Sequence, residues 1–172
     1  MSLFYEFDEV DTFVATAIGE PGSRVFYLHA RSGGQRVSVK CEKQQVSAIS
    51  QHLRRVLSDL PPPEDRPMPS ALERVDPGEQ SFVLGPIGLG YDRSNDRLLV
   101  QLEEAIAIDP DAPDDAVEDE EPDRSHIRLY VTRGQASAFC EHADEVVAAG
   151  RPSCIWCGNP IDPDGHPCPR MN

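Results

Sequence analysis

The chain has 172 residues, of which 30 are Asp or Glu and 16 are Lys or Arg, so its formal net charge is -14 at neutral pH. No apolar run approaches the roughly 20 residues that cross a bilayer as a helix, and the acidic charge disfavours broad binding to nucleic acid or to an anionic lipid surface. Because residues 1–8 lack the basic and apolar regions of a signal peptide, we expect a cytoplasmic protein without a membrane span.

Residues 1–60 predict three strands followed by a helix. Segments rich in β-branched and aromatic residues, separated by glycine-containing turns, predict strands at 11–18, 24–30 and 36–40. From Lys43 to Leu60 the apolar residues recur at spacings of three and four, as on one face of an amphipathic helix. The Pro61-Pro62-Pro63 run ends this pattern because proline cannot continue a helix.

Residues 80–150 repeat this β-β-β-α order. The segment Arg133–His142 shares Gln, Ser, Ala and His in register with Lys43–His52, and Phe82-Val83 corresponds to Phe13-Val14. We interpret the two halves as an internal duplication, and the prediction of the fold class rests on this repeat. The prediction is an α+β fold in which duplicated β-β-β-α units form a mainly antiparallel sheet with two packed helices.

Two segments interrupt the repeat. Residues 61–79 are rich in proline and are predicted to form a linker between the halves. Residues 103–124 are dominated by carboxylates, a composition that cannot offset the entropy lost on ordering, so we expect a mobile acidic loop. The acidic loop lacks the residue order of a calcium-binding loop, which favours a solvated run of charge over a cation site.

The tail, residues 151–172, carries the strongest chemical signal. Cys154, Cys157, His166 and Cys168 stand in a C-x2-C-x8-H-x-C arrangement, and the glycine after the second cysteine is typical of a zinc knuckle. Such a site would be structural, because four protein ligands leave no position for water or substrate, and the zinc would organise a segment too small to fold alone.

Other interpretations of the cysteines remain open. Cys154 and Cys157 could form a redox dithiol, although they do not stand between a strand and a long helix as in thioredoxin-like proteins, or the thiols could be unliganded. Cys41 or Cys140 could replace His166 as the fourth ligand if the fold brings either one close, but buried thiols are expected at both positions.

Catalytic motifs are scarce elsewhere. Residues 85–90 contain three glycines but lie in a strand-like run, so they do not match a dinucleotide fingerprint and predict a bent strand. His52 and His142 occupy equivalent helix positions, and Glu141 is adjacent to the second histidine. These three side chains are the candidates for a polar site in a cleft between the halves, although no nucleophile stands at a diagnostic spacing.

The tail together with the preceding strand and helix, IRLYVTRGQASAFCEHADEVVAAGRPSCIWCGNPIDPDGHPCPRMN, resembles an actinobacterial family of unknown function, number 3090. The resemblance extends from Phe7-Asp8 through the FVLGPIGLGYD segment to the C-terminus, and the four tail ligands match the family's pattern. The family resemblance implies a gene trio with a histidine-phosphatase-like and a phosphatidylinositol-kinase-like protein, and hence a phosphorylation-linked pathway. It implies no catalytic residues.

Two functions from different classes follow. The favoured hypothesis is a non-enzymatic zinc-containing adaptor or regulatory protein that binds a protein partner such as the kinase-like or phosphatase-like neighbour. The alternative is a small enzyme or ligand-binding domain that uses the cleft between the halves. A third, weaker hypothesis is that the acidic loop imitates nucleic-acid charge and docks on a basic protein surface.

Overall fold

A computed structural model describes residues 2–67, 78–107, 111, 123–150, 152–161 and 165–171. The described residues form a mixed α+β structure with these elements in chain order: β1 Phe4–Phe7, β2 Thr12–Ile18, β3 Val25–Ser32, β4 Gln35–Cys41, α1 Lys43–Ser58, β5 Phe82–Asp92, β6 Arg97–Glu104, β7 His126–Val131 and α2 Arg133–Ala148. The acidic loop predicted at 103–124 and the linker predicted at 61–79 lie largely outside the described residues.

The strands form one seven-stranded sheet in the order β1-β7-β6-β5-β4-β3-β2. Antiparallel pairing joins β2 to β3, β3 to β4, β5 to β6 and β6 to β7, whereas β1 pairs with β7 and β4 pairs with β5 in parallel. The sequence predicts six strands and does not predict β1, because four residues are too few for an alternating pattern to stand out. It also did not anticipate the two parallel pairings.

The sheet curls strongly, because its two edge strands are neighbours along the chain. In a flat sheet β1 and β2 would lie about 29 Å apart at the usual strand spacing. The chain from Phe7 to Thr12 can span at most about 18 Å when it is fully extended. The sheet therefore bends back towards closure.

One face of the sheet carries a core that both halves share. On β6 the buried residues Leu98, Val100 and Leu102 alternate with half-buried ones, as expected for a strand with one face covered. They belong to the same cluster of buried residues as Phe13 on β2 and Phe139 on α2. The halves therefore pack around a single core.

Both helices begin with a capping box. At the start of α1 the Gln45 side chain accepts a hydrogen bond from the Glu42 backbone N–H at 2.8 Å, and at the start of α2 Gln135 accepts one from the Thr132 N–H at 2.9 Å. These reciprocal bonds satisfy backbone N–H groups that the first helical turn leaves without partners. The two predicted helices are thus present, and α1 ends before the proline run.

The same two glutamines tie each helix to the other half. The Gln45 side-chain amide donates to the Leu84 carbonyl on β5 at 3.1 Å, and the Gln135 amide donates to the carbonyl of Val10, which precedes β2. The helices also contact each other, since the Ser50 hydroxyl donates to an Asp144 carboxylate oxygen at 3.2 Å. The equivalent contacts agree with the duplication, which itself stays a prediction.

The described part of the linker lies along α2. Arg133 donates hydrogen bonds to the carbonyls of Pro61 and Pro62, and Arg66 forms an ion pair with Glu141 at 3.0 Å. A Cβ atom on Gly134 would lie only 1.8 Å from the Asp65 carbonyl oxygen, so glycine is needed where the linker crosses the helix. We call residues 61–67 the strap.

None of the helices in the described part of the chain is both long enough and apolar enough to cross a membrane.

Candidate metal centre

The backbone of residues 152–161 forms a small hairpin around the first two cysteines. The Cys154 N–H donates to the Asn159 carbonyl and the Gly158 N–H donates to the Cys154 carbonyl, both at 2.8 Å, while Ser153 and Pro160 form an isolated antiparallel bridge. Gly158 has a φ of 75°, a left-handed conformation that glycine adopts without steric cost. The turn between the cysteines is therefore closed by backbone hydrogen bonds and by a glycine.

The four predicted ligands come together. The Sγ atoms of Cys154, Cys157 and Cys168 and a ring nitrogen of His166 all lie within 4.8 Å of one another. The Cys154 and Cys168 sulfurs are 3.9 Å apart, and the Cys157 sulfur is 3.3 Å from His166 Nε2. With Zn–S bonds of about 2.3 Å and Zn–N bonds of about 2.0 Å, tetrahedral geometry requires edges of about 3.8 and 3.5 Å. The Cys154–Cys168 and Cys157–His166 separations are close to these edges, and the other ligand atoms lie within 4.8 Å of one another.

The ligand cluster is half enclosed, and its sulfurs are in different environments. Cys154 and Cys168 are buried, whereas Cys157 and His166 are half-buried. The backbone N–H groups of Cys157 and Trp156 point at the Cys154 sulfur and lower the pKa of that thiol. For Cys157, the N–H of Asn159 lowers the pKa, but burial and the neighbouring Cys154 and Cys168 sulfurs outweigh it and raise the pKa overall.

The remaining two cysteines lie in the core. Cys41 ends β4, and burial raises its pKa to about 12. Cys140 lies on the buried face of α2, where its thiol contacts the Ser50 carbonyl at 3.4 Å. Neither belongs to the cluster formed by the described residues. The expectation of ordinary buried thiols is confirmed, and nothing brings Cys41 or Cys140 forward as the fourth ligand.

The three residues predicted to form a polar site in a cleft lie in separate surroundings. Glu141 pairs with Arg66 of the strap, His142 Nδ1 lies 4.0 Å from a Glu145 carboxylate oxygen, and His52 is exposed on α1. Among the contacts of the described residues, none joins His52, His142 and Glu141 to one another. The structure therefore does not assemble them into an acid–base set.

Three buried polar side chains that the sequence did not predict as a group are connected by hydrogen bonds. The Thr16 hydroxyl lies 2.7 Å from His29 Nε2, and His29 Nδ1 lies 2.8 Å from the Ser38 hydroxyl, with all three side chains at most 3% exposed. These hydrogen-bonded side chains link β2, β3 and β4 on the sheet face opposite the core cluster. The signal was available in the sequence as polar residues at alternate positions of predicted strands, but strands with a solvated face show the same alternation.

A shallow pocket lies between the tail and the first half, beside the end of α2. Arg24 donates a hydrogen bond to the Val146 carbonyl at 2.8 Å, and its guanidinium lies 4.9 Å from the centre of the Phe26 ring. Pro160 of the hairpin and Gly150 line this pocket with these two side chains. The segment that carries the ligand cluster therefore borders the first half and the end of the last helix across this pocket.

Comparison with models of protein families finds a match. A family model described as "Protein of unknown function (DUF3090)" matches residues 5–168, nearly the whole chain, and includes all four candidate ligands. The match confirms the family predicted from the sequence, whereas the gene trio and the actinobacterial source stay predictions. Neither a curated protein nor a solved structure matches the chain.

Proposed function

The chain belongs to this family of unknown function, and from that premise we propose that it is a non-enzymatic adaptor or regulatory protein whose tail folds around a structural zinc ion. The observation that carries the proposal is the convergence of three thiols and an imidazole within 4.8 Å of one another. The domain division belongs to the same proposal: duplicated halves at 1–60 and 80–150, the linker 61–79, and the tail 151–172 held by the metal.

The chemistry of the donor set supports zinc. Thiolate and imidazole together are the usual ligands of structural zinc, and soft sulfur donors disfavour magnesium or calcium. The ion would be held by Cys154, Cys157, His166 and Cys168, and it would supply cross-linking of the tail rather than reaction chemistry. Because the protein would fill all four tetrahedral positions, no position is left for a water molecule or a substrate.

The binding role is favoured over catalysis by what surrounds the other candidate residues. Glu141 forms an ion pair with Arg66, and His52 is exposed on the surface of α1. A partner in a phosphorylation-linked pathway, kinase-like or phosphatase-like, and a cytoplasmic location follow from the family resemblance and the sequence. The acidic charge of the chain favours a protein partner over nucleic acid.

Native mass spectrometry of the purified full chain tests the metal. We expect one zinc ion per chain, complete loss of zinc in Cys157→Ser, and full retention in the matched control Cys140→Ser, which removes a thiol outside the cluster. A Cys154–Cys157 disulfide in freshly purified protein, or a metal-free chain whose tail still resists proteolysis, would contradict the zinc proposal. Turnover by the purified protein would contradict the non-enzymatic role.

A further inference from the structure

The turn between the first two ligands exposes two large apolar side chains. Ile155 is 89% exposed and Trp156 is 58% exposed. Trp156 is the single tryptophan of the chain. We call these two residues the knuckle tip. Single exposed apolar residues are common on protein surfaces, but two adjacent ones that include the only tryptophan form a compact contact point.

The knuckle tip is held in place from both sides. It lies between two candidate ligands, Cys154 and Cys157, and the Gly158 N–H closes the turn onto the Cys154 carbonyl. A bound zinc would fix both ends of this turn. An apolar side chain on a fixed turn loses little conformational entropy on binding, and tryptophan is enriched among residues that dominate binding energy.

Charge indicates what the knuckle tip binds. A zinc ion with three thiolates and one imidazole carries a net charge of -1, and the chain as a whole carries -14. This charge repels nucleic acid, an anionic membrane and a second copy of the chain, and it attracts a basic surface. The sequence of the tail, residues 151–172, balances Asp162 and Asp164 against Arg151 and Arg170, so the zinc centre would leave the tail with a net negative charge.

We propose that the knuckle tip is the docking site for a protein partner that presents an apolar pocket bordered by Lys or Arg. Trp156 would fill the pocket, and the basic border would face the negative zinc centre and could lie over the indole ring. The inference rests on the proposed function, since zinc supplies both the rigidity and the local charge.

The first experiment maps the contact in the host cell. A photoreactive phenylalanine analogue replaces Trp156 in the full chain, and the matched control carries it at Phe4, an aromatic residue of similar exposure at 55%. We expect one protein to be cross-linked from position 156 and not from position 4. Cross-linking from position 156 to a second copy or to nucleic acid, or equal yields at the two positions, would overturn the proposal.

The second experiment uses the cross-linked protein after purification, together with the full chain. We expect Trp156→Ala to weaken binding at least tenfold, Phe4→Ala to change it less than twofold, and added salt to weaken the wild-type complex. Equal affinities for wild type and Trp156→Ala, or binding that does not respond to salt, would overturn the docking site. Zinc content is measured in the same samples: normal zinc with unchanged affinity refutes this inference alone, whereas absent zinc refutes the proposed function.

Discussion

Removal of the Phe139 ring tests whether α2 fastens the two halves together. Phe139 is completely buried, and its ring stacks on that of Phe13 on β2 with centroids 4.4 Å apart and an interplanar angle of 5°. Truncation of a buried phenylalanine to alanine costs about 3–5 kcal/mol, because transfer free energy is lost and a cavity remains. A domain of this size has a free energy of unfolding of about 5–15 kcal/mol.

We therefore expect Phe139→Ala to lower the free energy of unfolding by about 3–5 kcal/mol in urea titrations followed by circular dichroism. The double variant with Phe13→Ala should reveal a coupling of about 0.5–1.5 kcal/mol between the rings. Phe4→Ala, at a mostly exposed ring, is the matched control and should cost less than about 1 kcal/mol. A loss below about 1.5 kcal/mol for Phe139→Ala would refute the packing of α2 on β2.

Three further predictions concern the strap, a surface hydrogen bond and a buried thiol. Gly134→Ala would place a Cβ atom 1.8 Å from the Asp65 carbonyl oxygen, so the strap should shift away from α2. A glutamate-specific protease should then cut the strap at Glu64 faster than in the wild type. Unchanged cleavage at Glu64 would contradict the close approach. The Tyr91 hydroxyl donates to Asp96 at 2.7 Å, and this hydrogen bond favours the protonated phenol and raises the Tyr91 pKa, with a further contribution from the charge of the carboxylate. Asp96→Asn should bring the Tyr91 pKa down towards its ordinary value of about 10 in an NMR titration, and an unmoved pKa would contradict the contact. Cys41, whose pKa burial raises to about 12, should resist alkylation at pH values well below that until the protein unfolds, and rapid labelling of the native chain would contradict its burial.

Local patterns predicted most of the elements. The strands around Phe13 and Val37 and the helix beginning at Lys43 follow from alternation, turn residues and three-and-four spacing, all of which act over a few positions. Strand β1 was missed because FYEF is stabilised by parallel pairing with β7, where Phe7 lies opposite Leu129. A partner more than a hundred positions away leaves no mark on a four-residue segment.

In the candidate site, too, the features set by nearby residues were predicted and those set by distant residues were not. The spacing of Cys154, Cys157, His166 and Cys168 was enough to predict their convergence, since the turn-rich connection between the ligand pairs is short. The Thr16–His29–Ser38 chain could not be predicted, because its side chains meet only after β2, β3 and β4 have paired in a particular register. Burial on the sheet face opposite the core cluster depends on the whole fold and not on the strands themselves.

The packing of α2 on the first half has a consequence during synthesis of the protein. The Val10 carbonyl receives its hydrogen bond from Gln135, which is 125 positions later in the chain. At translation rates of about 5–20 residues per second, the beginning of the first half waits roughly 6–25 s for the helix that covers it. During that interval apolar side chains such as Phe13 lack their final cover on the ribosome-bound chain. Chaperones that bind nascent apolar segments should therefore associate with this protein until α2 emerges.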